Sequence, residues 1–433
     1  MNGLTEALLV IVPLLSNVFI WKVKYSSLAS SVLTLTLSLI SYFDLPVFTP
    51  TLYVTRFTWY FLVMVASVYF SSTVYSVIYE RVDKLRERNY FYFMNMFSAS
   101  MFFTLIVNNL GLMWVGLEAT TISSVLLVTH EGTQEALEAG WRYVIIVSTG
   151  ITFAFISLIL LYFGLHTLQI SSILYPHASP LFALASVIAL MGFGTKAGLF
   201  PVNTWLPDAH SEAPPAVSAM FSGVLLPVAV YILHLIYVIA PLQSVYSWTA
   251  TISVLVASLM MAGQRYYKRM FAYSTIENMG VAILGISTSS TMGIAILLVS
   301  HAFAKAGAFY ASGAIMRTVG SKQINEYGLI SSPMTSAGLL MSSLAVTGAP
   351  PFANFFGEFL ILYNVLGSHM VAQFFVTLLS LALAFISVNY HVSRMIFKGN
   401  WKGQEGKSLS VLALMTALVP LTIGIYLLVG GLP

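Results

Sequence analysis

The chain has 433 residues, of which 58% are hydrophobic and only 8% charged, and its mean hydropathy is +0.87. Soluble domains carry roughly a quarter charged residues, so this composition excludes a soluble protein and predicts a polytopic membrane protein. The formal net charge of +4 does not indicate a nucleic-acid partner, because the basic residues follow membrane topology instead.

Apolar runs separated by polar or charged turns predict an all-α fold of about fourteen transmembrane helices in the lipid bilayer. The predicted spans are Leu4–Trp21, Ser31–Phe48, Phe57–Tyr79, Phe91–Val107, Leu110–Thr129, Tyr143–Phe163, Leu181–Trp205, Ala216–Ile239, Trp248–Gly263, Phe271–Thr288, Gly293–Met316, Met334–Leu366, His369–Phe397 and Leu409–Leu432.

The positions of the basic residues support this count. Fifteen of the 19 Lys and Arg residues fall in connections from an odd-numbered to an even-numbered span. They are Lys22, Lys24, Arg81, Lys84, Arg86, Arg88, Arg265, Lys268, Arg269, Arg317, Lys322, Arg394, Lys398, Lys402 and Lys407. Because cytoplasmic loops are enriched in Lys and Arg, we expect a multi-pass protein of the cell membrane with both termini outside.

The seventh predicted span carries a lysine in an apolar run, and prolines follow this lysine in the sequence. A charged lysine at the bilayer centre costs roughly 2.5–3.5 kcal/mol, which makes Lys196 a candidate functional residue. Pro201 and Pro207 each remove a backbone donor, so the helix is expected to break at 191–207. Broken backbone at membrane depth is tolerated where it faces protein or water. The alternative is a lysine that snorkels to the membrane interface.

Further charged side chains lie inside the predicted spans or at their ends. Glu118 is central in the fifth span, and Arg142 opens the sixth. His301 and Lys305 are four residues apart, which puts them on one face of a helix. Glu358 follows a second interruption of an apolar run. Interhelical hydrogen bonds that only join helices are the alternative to a functional role.

Two interrupted segments, at 191–207 and 334–366, predict an internal repeat. Lys196 and Glu358 are 358 − 196 = 162 residues apart, and Glu118 and Glu277 are 277 − 118 = 159 apart. If spans four to eight repeat as nine to thirteen, the second copy is inverted, since five is odd. The expected domains are 1–89 with three helices, 90–242 and 243–400 with one five-helix repeat each, and 401–433 with the last helix.

Several strings resemble one family in order along the chain. LPDAHSEAP and SGVLL follow Lys196, and YSTIENMG, SHAFAKAGAF and GAPPFANFFGEF come later. They are similar to the antiporter-like membrane subunits of respiratory complex I and membrane-bound hydrogenases, with the hydrogenase-4 component F type fitting best. The resemblance covers about residues 90–400. It implies a fourteen-helix fold with two inverted five-helix repeats and a proton path along a polar axis.

The resemblance also implies a proton relay of buried charged residues. Its members would be Glu118, Lys196, Lys305 and Glu358, with His301 in the neighbourhood of Lys305.

The chain departs from the family pattern at two positions. Arg142 stands where relatives have a lysine, and an arginine holds charge but does not release a proton in practice. It would therefore tune Glu118 without carrying a proton. Pro227 stands where many relatives have a lysine, so either water or His234 would have to fill the gap between the two lysines.

The expected function is proton translocation in an energy-converting oxidoreductase complex. Glu118 and Lys196 would form an ion pair. When the pair loosens, Lys196 would lose its counter-charge in a low-dielectric site and pass its proton toward Lys305 and out by Glu358.

The sequence has no cysteine, which excludes thiolate-ligated iron–sulfur or nickel sites on this chain. We therefore expect no cofactor and no metal on this chain. Redox chemistry is expected on partners, namely other membrane subunits and peripheral iron–sulfur, nickel–iron or quinone-type catalytic subunits.

Three alternatives remain open at this point. A sodium/proton antiporter module of the same fold is the first, since carboxylates and broken-helix carbonyls also hold Na⁺. A haem-bearing quinone enzyme would need axial ligands such as His234, His301 or His391, but the spans lack paired histidines at matching depth. The third alternative is an inert scaffold that only anchors partners, but burying charged side chains in a membrane is unfavourable and such a scaffold would not need them.

Overall fold

The computed structural model describes residues 3–19, 22–80, 82–400, 403 and 405–431. The chain divides into two compact units. The first unit comprises Met1–Gly198 and Val224–Val245, and the second comprises Leu199–Gly223 and Tyr246–Pro433. Helices and strands are numbered here in chain order.

The first unit is a helical bundle with one short hairpin. Its helices are α1 (Leu4–Ser16), α2 (Val23–Ile40), α3 (Arg56–Tyr79), α4 (Lys84–Ile106), α5 (Leu110–Val128), α6 (Gln134–Leu165), α7 (Ile170–Ile173), α8 (Pro180–Ala197) and α11 (Leu226–Ile239), with 3₁₀ turns at Ser41–Asp44 and Thr129–Glu131. Strands β1 (Val47–Phe48) and β2 (Tyr53–Val54) pair antiparallel. Several of these helices have a side-chain cap at the N-terminus. At the start of α5, for example, the Asn109 side chain accepts hydrogen bonds from the backbone N–H groups of Gly111 and Leu112.

The second unit is built from the remaining helices. They are α9 (Trp205–Glu212), α10 (Pro215–Met220), α12 (Gln243–Ala262, from Tyr246 onward in this unit), α13 (Tyr267–Ser287), α14 (Thr291–Val319), α15 (Pro333–Val346), α16 (Ala353–Gly367), α17 (Val371–Phe397) and α18 (Lys407–Gly430), with a 3₁₀ turn at Leu329–Ser331. Helices α13 and α14 are buried along most of their length, which places them in the core of this unit.

The architecture is that of a polytopic helical membrane protein. Among the described residues, ten helices are long and apolar enough to cross a membrane. The other four predicted spans coincide with α1, α4, α13 and the pair α15–α16, which are shorter or less apolar. The count of fourteen crossings and the inverted repeats stay predictions.

Both interruptions expected from the prolines are present. Helix α8 ends at Ala197, where Gly198 adopts a left-handed conformation with φ 76°, and the next helix begins at Trp205. Helices α15 and α16 flank the second interruption, between Val346 and Ala353. Residues 199–223 pack within the second compact unit, and the repeat boundary at 242 stays a prediction.

A wide turn precedes Pro227. Residues Phe221–Leu225 form a π-helical turn between α10 and α11, and Pro227 is in the first turn of α11. A proline ring collides with the carbonyl four residues earlier, here that of Gly223, and offers it no N–H. One π-turn adds a residue to the helix and moves this carbonyl aside. The helix therefore absorbs Pro227 without ending.

Candidate functional site

Lys196 lies at the helix break in the first unit. It is in the last turn of α8, and its side chain is fully buried. A cation there suits the negative end of the helix dipole. Helix α6 approaches α8 closely because Gly192 has no side chain, and a Cβ at this position would collide with the backbone of Ala154. The close approach brings the polar side chains of α6 within reach of Lys196.

Neutral hydroxyl groups hold Lys196. Its Nζ donates to Thr121 Oγ1 and to Tyr143 Oη, each at 2.9 Å. The same ammonium lies 5.2 Å from the centre of the Tyr143 ring. Tyr143 Oη is in turn 2.7 Å from Ser124 Oγ, and either oxygen can donate. These contacts form a buried chain of exchangeable protons around the lysine.

Glu118 reaches this chain through one hydroxyl. Thr121 Oγ1 donates to Glu118 Oε2 at 3.3 Å, and Ser148 Oγ donates to Glu118 Oε1 at the same distance. The sequence led us to expect a direct Glu118–Lys196 ion pair, but in the described part of the chain no such pair lies within 4.0 Å. Thr121, one turn beyond Glu118 on α5, lies between them.

Arg142 is placed differently from its neighbour Tyr143. Its guanidinium is exposed and forms an ion pair with Glu138, 2.5 Å away and one turn earlier on α6. Successive residues of a helix point about 100° apart, so Tyr143 faces Lys196 while Arg142 faces outward. An influence of Arg142 on Glu118 stays a prediction.

Lys305 is the central cation of the second unit. It is fully buried on α14 and donates to the carbonyl of Phe271 at 2.8 Å and to Ser274 Oγ at 2.7 Å. Glu277, one turn beyond Ser274 on α13, is close enough to interact electrostatically with the ammonium. The second unit thus repeats the combination of a lysine, a hydroxyl and a carboxylate.

Glu277 begins a buried amide network that the sequence did not indicate. Glu277 is only 1% exposed. Asn278 Nδ2 donates to Glu277 Oε2 at 2.7 Å and to the carbonyl of Val346 at 3.2 Å. Asn354 Nδ2 lies 3.4 Å from Asn278 Oδ1, and Ser300 donates to Asn354. The network joins α13, α14, α15 and α16.

Glu358 lies beside the second interruption. Glu358 is 6% exposed, and its buried Oε1 has no hydrogen-bond partner among the described residues. Glu277 is near enough to interact with it electrostatically. Gly348, in the turn before α16, packs against the carboxylate in a left-handed conformation with φ 62°. A carboxylate so enclosed is suited to gain and lose a proton rather than to hold a permanent partner.

Gly348→Ala is expected to impair this site more than a matched glycine change. A Cβ at 348 would collide with the Glu358 carboxylate, in addition to the cost of about 1–2 kcal/mol for a left-handed L-residue. Gly320→Ala is the control, because Gly320 also has a positive φ (75°) but nothing lies within 4 Å of its Cβ position. Proton uptake should fall further in Gly348→Ala, because the Glu358 carboxylate has to move aside, whereas the unfolding temperatures of the two variants should fall by similar amounts. Equal losses of uptake would show that the position of the carboxylate does not matter.

Two histidines accompany Lys305. His301 Nε2 lies 3.3 Å from the carbonyl of Ser222, in the wide turn before α11. His210 is fully buried, and its ring stacks on Phe309 with centroids 4.9 Å apart. It is also close enough to Lys305 to interact electrostatically.

His234 belongs to the first unit. It lies on α11 with its ring 4.8 Å from the ring of Phe57, and its Nδ1 is buried without a hydrogen-bond partner in the described part of the chain. Its role as a bridge stays a prediction. Within the described ranges, no group of three or more His, Asp or Glu side chains is arranged to hold a metal ion.

Buried lysines and carboxylates beside interrupted helices, in a polytopic membrane fold, are typical of membrane proteins that move ions. Residues 107–387 match the family described as "NADH:quinone oxidoreductase/Mrp antiporter, TM", and the chain belongs to this family. The expected resemblance is therefore confirmed.

Individual relatives agree with this assignment. The chain is 38% identical over 298 residues to a hydrogenase-4 component F homolog of Methylacidiphilum infernorum (isolate V4), covering 63% of this chain and 62% of the relative. It is 28% identical over 324 residues to NADH-quinone oxidoreductase subunit N of Desulforudis audaxviator (strain MP104C), covering 71% and 64%. The chain therefore matches less than two thirds of the length of these curated relatives.

Solved structures share the fold over nearly the whole chain. A chain of respiratory complex I from Thermus thermophilus matches with a TM-score of 0.86 at 20% identity, covering 98% of this chain and 97% of that one. A chain of the Mrp complex from Dietzia sp. DQ12-45-1b matches with a TM-score of 0.84 at 20% identity, covering 98% and 94%. At such identities the likeness concerns the fold.

Proposed function

We propose that this chain is a proton-translocating, antiporter-like subunit of a membrane-bound energy-converting oxidoreductase complex of the hydrogenase or complex I kind. The observation that carries the proposal is the environment of Lys196. A fully buried lysine at a helix break is held by Thr121 and Tyr143, with Glu118 one hydroxyl away. Such a lysine can change its protonation state when the carboxylate shifts.

The hydroxyls in the first unit supply the steps for a proton. The ammonium of Lys196 donates to the hydroxyl oxygens of Thr121 and Tyr143, and the Tyr143 hydroxyl is also hydrogen-bonded to Ser124. A shift of Glu118 toward Thr121 would stabilise the charged lysine, whereas a shift toward Ser148 would favour release of the proton. A small rearrangement of one carboxylate would then be enough to gate transfer.

The second unit would receive and release the proton. Lys305 has Ser274 and Glu277 on one side, and Glu277 interacts with Glu358. Two interacting carboxylates do not both stay ionised easily in a low-dielectric site. One proton can therefore be bound by Lys305, Glu277 or Glu358 in turn. We assign the last of them to Glu358.

The energy for these steps would come from partner subunits. The sequence has no cysteine to ligate an iron–sulfur cluster. The names of its relatives, a hydrogenase-4 component and a quinone oxidoreductase subunit, support the proposal that the catalytic partners are iron–sulfur, nickel–iron or quinone-type subunits.

The proposed topology is that of a cytoplasmic-membrane protein with about fourteen crossings. Two inverted five-helix repeats would follow three N-terminal helices, and both termini would be outside. The fifteen basic residues in odd-to-even connections support this orientation.

The test separates proton from sodium transport in the complex that contains this chain. Purified complex in sealed vesicles should take up protons in proportion to its redox turnover, with a ratio that does not change when Na⁺ is replaced by choline at fixed pH. Proton movement that requires Na⁺, or that a sodium gradient drives without redox turnover, would favour the antiporter alternative and contradict the proposal.

A further inference from the structure

A basic cavity lies where α2 and α4 begin. It has a volume of about 480 Å³, and four basic side chains line it together with Glu87. The four are Lys22, Lys24, Lys84 and Arg88. Below, these residues and the space between them are called the basic pocket. None of them belongs to the site around Lys196 or Lys305.

The basic pocket carries an excess of positive charge. Lys24 Nζ is 2.7 Å from Glu87 Oε1, so these two neutralise each other. Lys22, Lys84 and Arg88 are exposed and make no ion pair with any other residue that the structure describes. Three converging cations around one cavity attract an anion with more than one charge or several oxygens.

Two helices begin beside the basic pocket. Lys22 is the N-cap of α2 and makes no capping hydrogen bond with its side chain. At the neighbouring end of α4, Asp83 accepts from the backbone N–H groups of Leu85 and Arg86. The positive end of the α2 dipole therefore adds to the attraction for an anion at this place.

The exposed face of α2 continues from the pocket as an apolar strip. Tyr25, Val32 and Leu39 recur every seven residues, so they share one face, and their exposures are 68%, 47% and 50%. A ligand with an anionic head in the pocket would find hydrocarbon contacts along this strip. Free phosphate would use only the head site.

We infer that the basic pocket binds the phosphate headgroup of an anionic phospholipid, whose acyl chains lie along the strip on α2. Basic clusters at the ends of membrane helices recognise such headgroups by charge, and each Lys or Arg contributes roughly a fivefold gain in affinity. The lipid would hold the first turns of α2 and α4 together in the membrane.

The test uses the full chain, purified in detergent, and counts bound lipid by native mass spectrometry. Dioleoyl phosphatidylglycerol is titrated against dioleoyl phosphatidylcholine at constant salt. The variant combines Lys22→Gln, Lys84→Gln and Arg88→Gln, which are exposed and should leave the fold intact. We expect the preference for phosphatidylglycerol to fall about 100-fold in this triple variant, and about fivefold in Arg88→Gln alone.

The control removes the same number of charges outside the basic pocket. Arg265→Gln, Lys398→Gln and Lys407→Gln change exposed residues that do not line the basic pocket, and this triple variant should bind phosphatidylglycerol like the wild type. Equal losses in both triple variants would reduce the effect to net charge and overturn the proposal.

Two further outcomes decide between occupants. Inorganic phosphate at millimolar concentration should compete weakly, because it makes no contact with the apolar strip. If phosphate displaces the lipid completely, the site is one for a free anion. If the pocket variant binds lipid normally but loses a neighbouring subunit from the purified complex, the pocket is a protein contact. Either result contradicts the lipid assignment.

Discussion

Lys196→Ala is expected to abolish coupled proton uptake while the complex still assembles. The change removes the titratable group that joins Thr121 to Tyr143, and a positioned proton-transfer group contributes about 10²–10⁴-fold. The two lost hydrogen bonds reduce the stability of the fold by about 1 kcal/mol each. The variant no longer buries the charge of Lys196, and this gain offsets the loss. The measurement is proton uptake by vesicles, taken alongside the redox rate of the partner subunits.

Lys196→Arg separates charge from proton release. The guanidinium keeps a positive charge beside Glu118 but does not give up its proton in practice, so this variant should assemble and fail to pump. If Lys196→Ala folds, assembles and pumps normally, the central claim about this residue is wrong. If only Lys196→Arg pumps, the lysine acts as a fixed charge and not as a carrier.

Glu358→Gln should also stop proton uptake with normal assembly. The amide keeps the shape of the side chain beside Gly348, while it removes the titratable carboxylate at position 358 and its charge interaction with Glu277. We expect a loss of at least about 100-fold in coupled uptake. Glu358→Asp should retain part of the activity, because the carboxylate is kept at a shorter reach.

A matched carboxylate provides the control for Glu358. Glu326 is exposed in the connection between α14 and α15. The Lys398 ammonium and, to a smaller extent, the Arg394 guanidinium hold the pKa of its carboxyl below the usual range. Glu326→Gln should therefore pump like the wild type. Wild-type uptake in Glu358→Gln would move the exit path elsewhere, for example to His391, whose Nε2 lies 3.2 Å from the carbonyl of Ala262.

The helix breaks and the buried charges were predictable because their signals are local. A proline interrupts a helix wherever it stands, and a charge in an apolar run is costly regardless of its neighbours. Lys196, Lys305 and Glu358 therefore stand out in the sequence, and each is buried in the structure.

Their partners could not be predicted in the same way. Tyr143, Thr121 and Asn354 are neutral, so nothing in the composition separates them from polar residues that only join helices. Which of them meets a lysine depends on helix rotation and on the close approach at Gly192. The sequence does contain one signal for Tyr143. It precedes Lys305 by 305 − 143 = 162 residues, the spacing that also separates Lys196 from Glu358, so it would occupy the position of Lys305 in the first predicted repeat.

The expected ion pair illustrates the same limit. A carboxylate and a lysine in neighbouring spans suggest direct contact, yet Thr121 lies between Glu118 and Lys196. The side chain one turn away on the same helix decided the geometry, and charge patterns do not report such a detail. Glu277 shows the same limit, because a carboxylate near a basic helix start is equally typical of a helix cap.

The wide turn at Phe221–Leu225 also sets the angular phase of everything after it on the helix. Each residue of an α-helix advances the chain by about 100°, so one extra residue rotates all later side chains by that angle. In this phase Tyr231 reaches Thr58, with their hydroxyl oxygens 2.8 Å apart, and His234 faces Phe57. We therefore expect a substitution at Pro227 that restores a regular α-helix to change contacts one and two turns further along the helix.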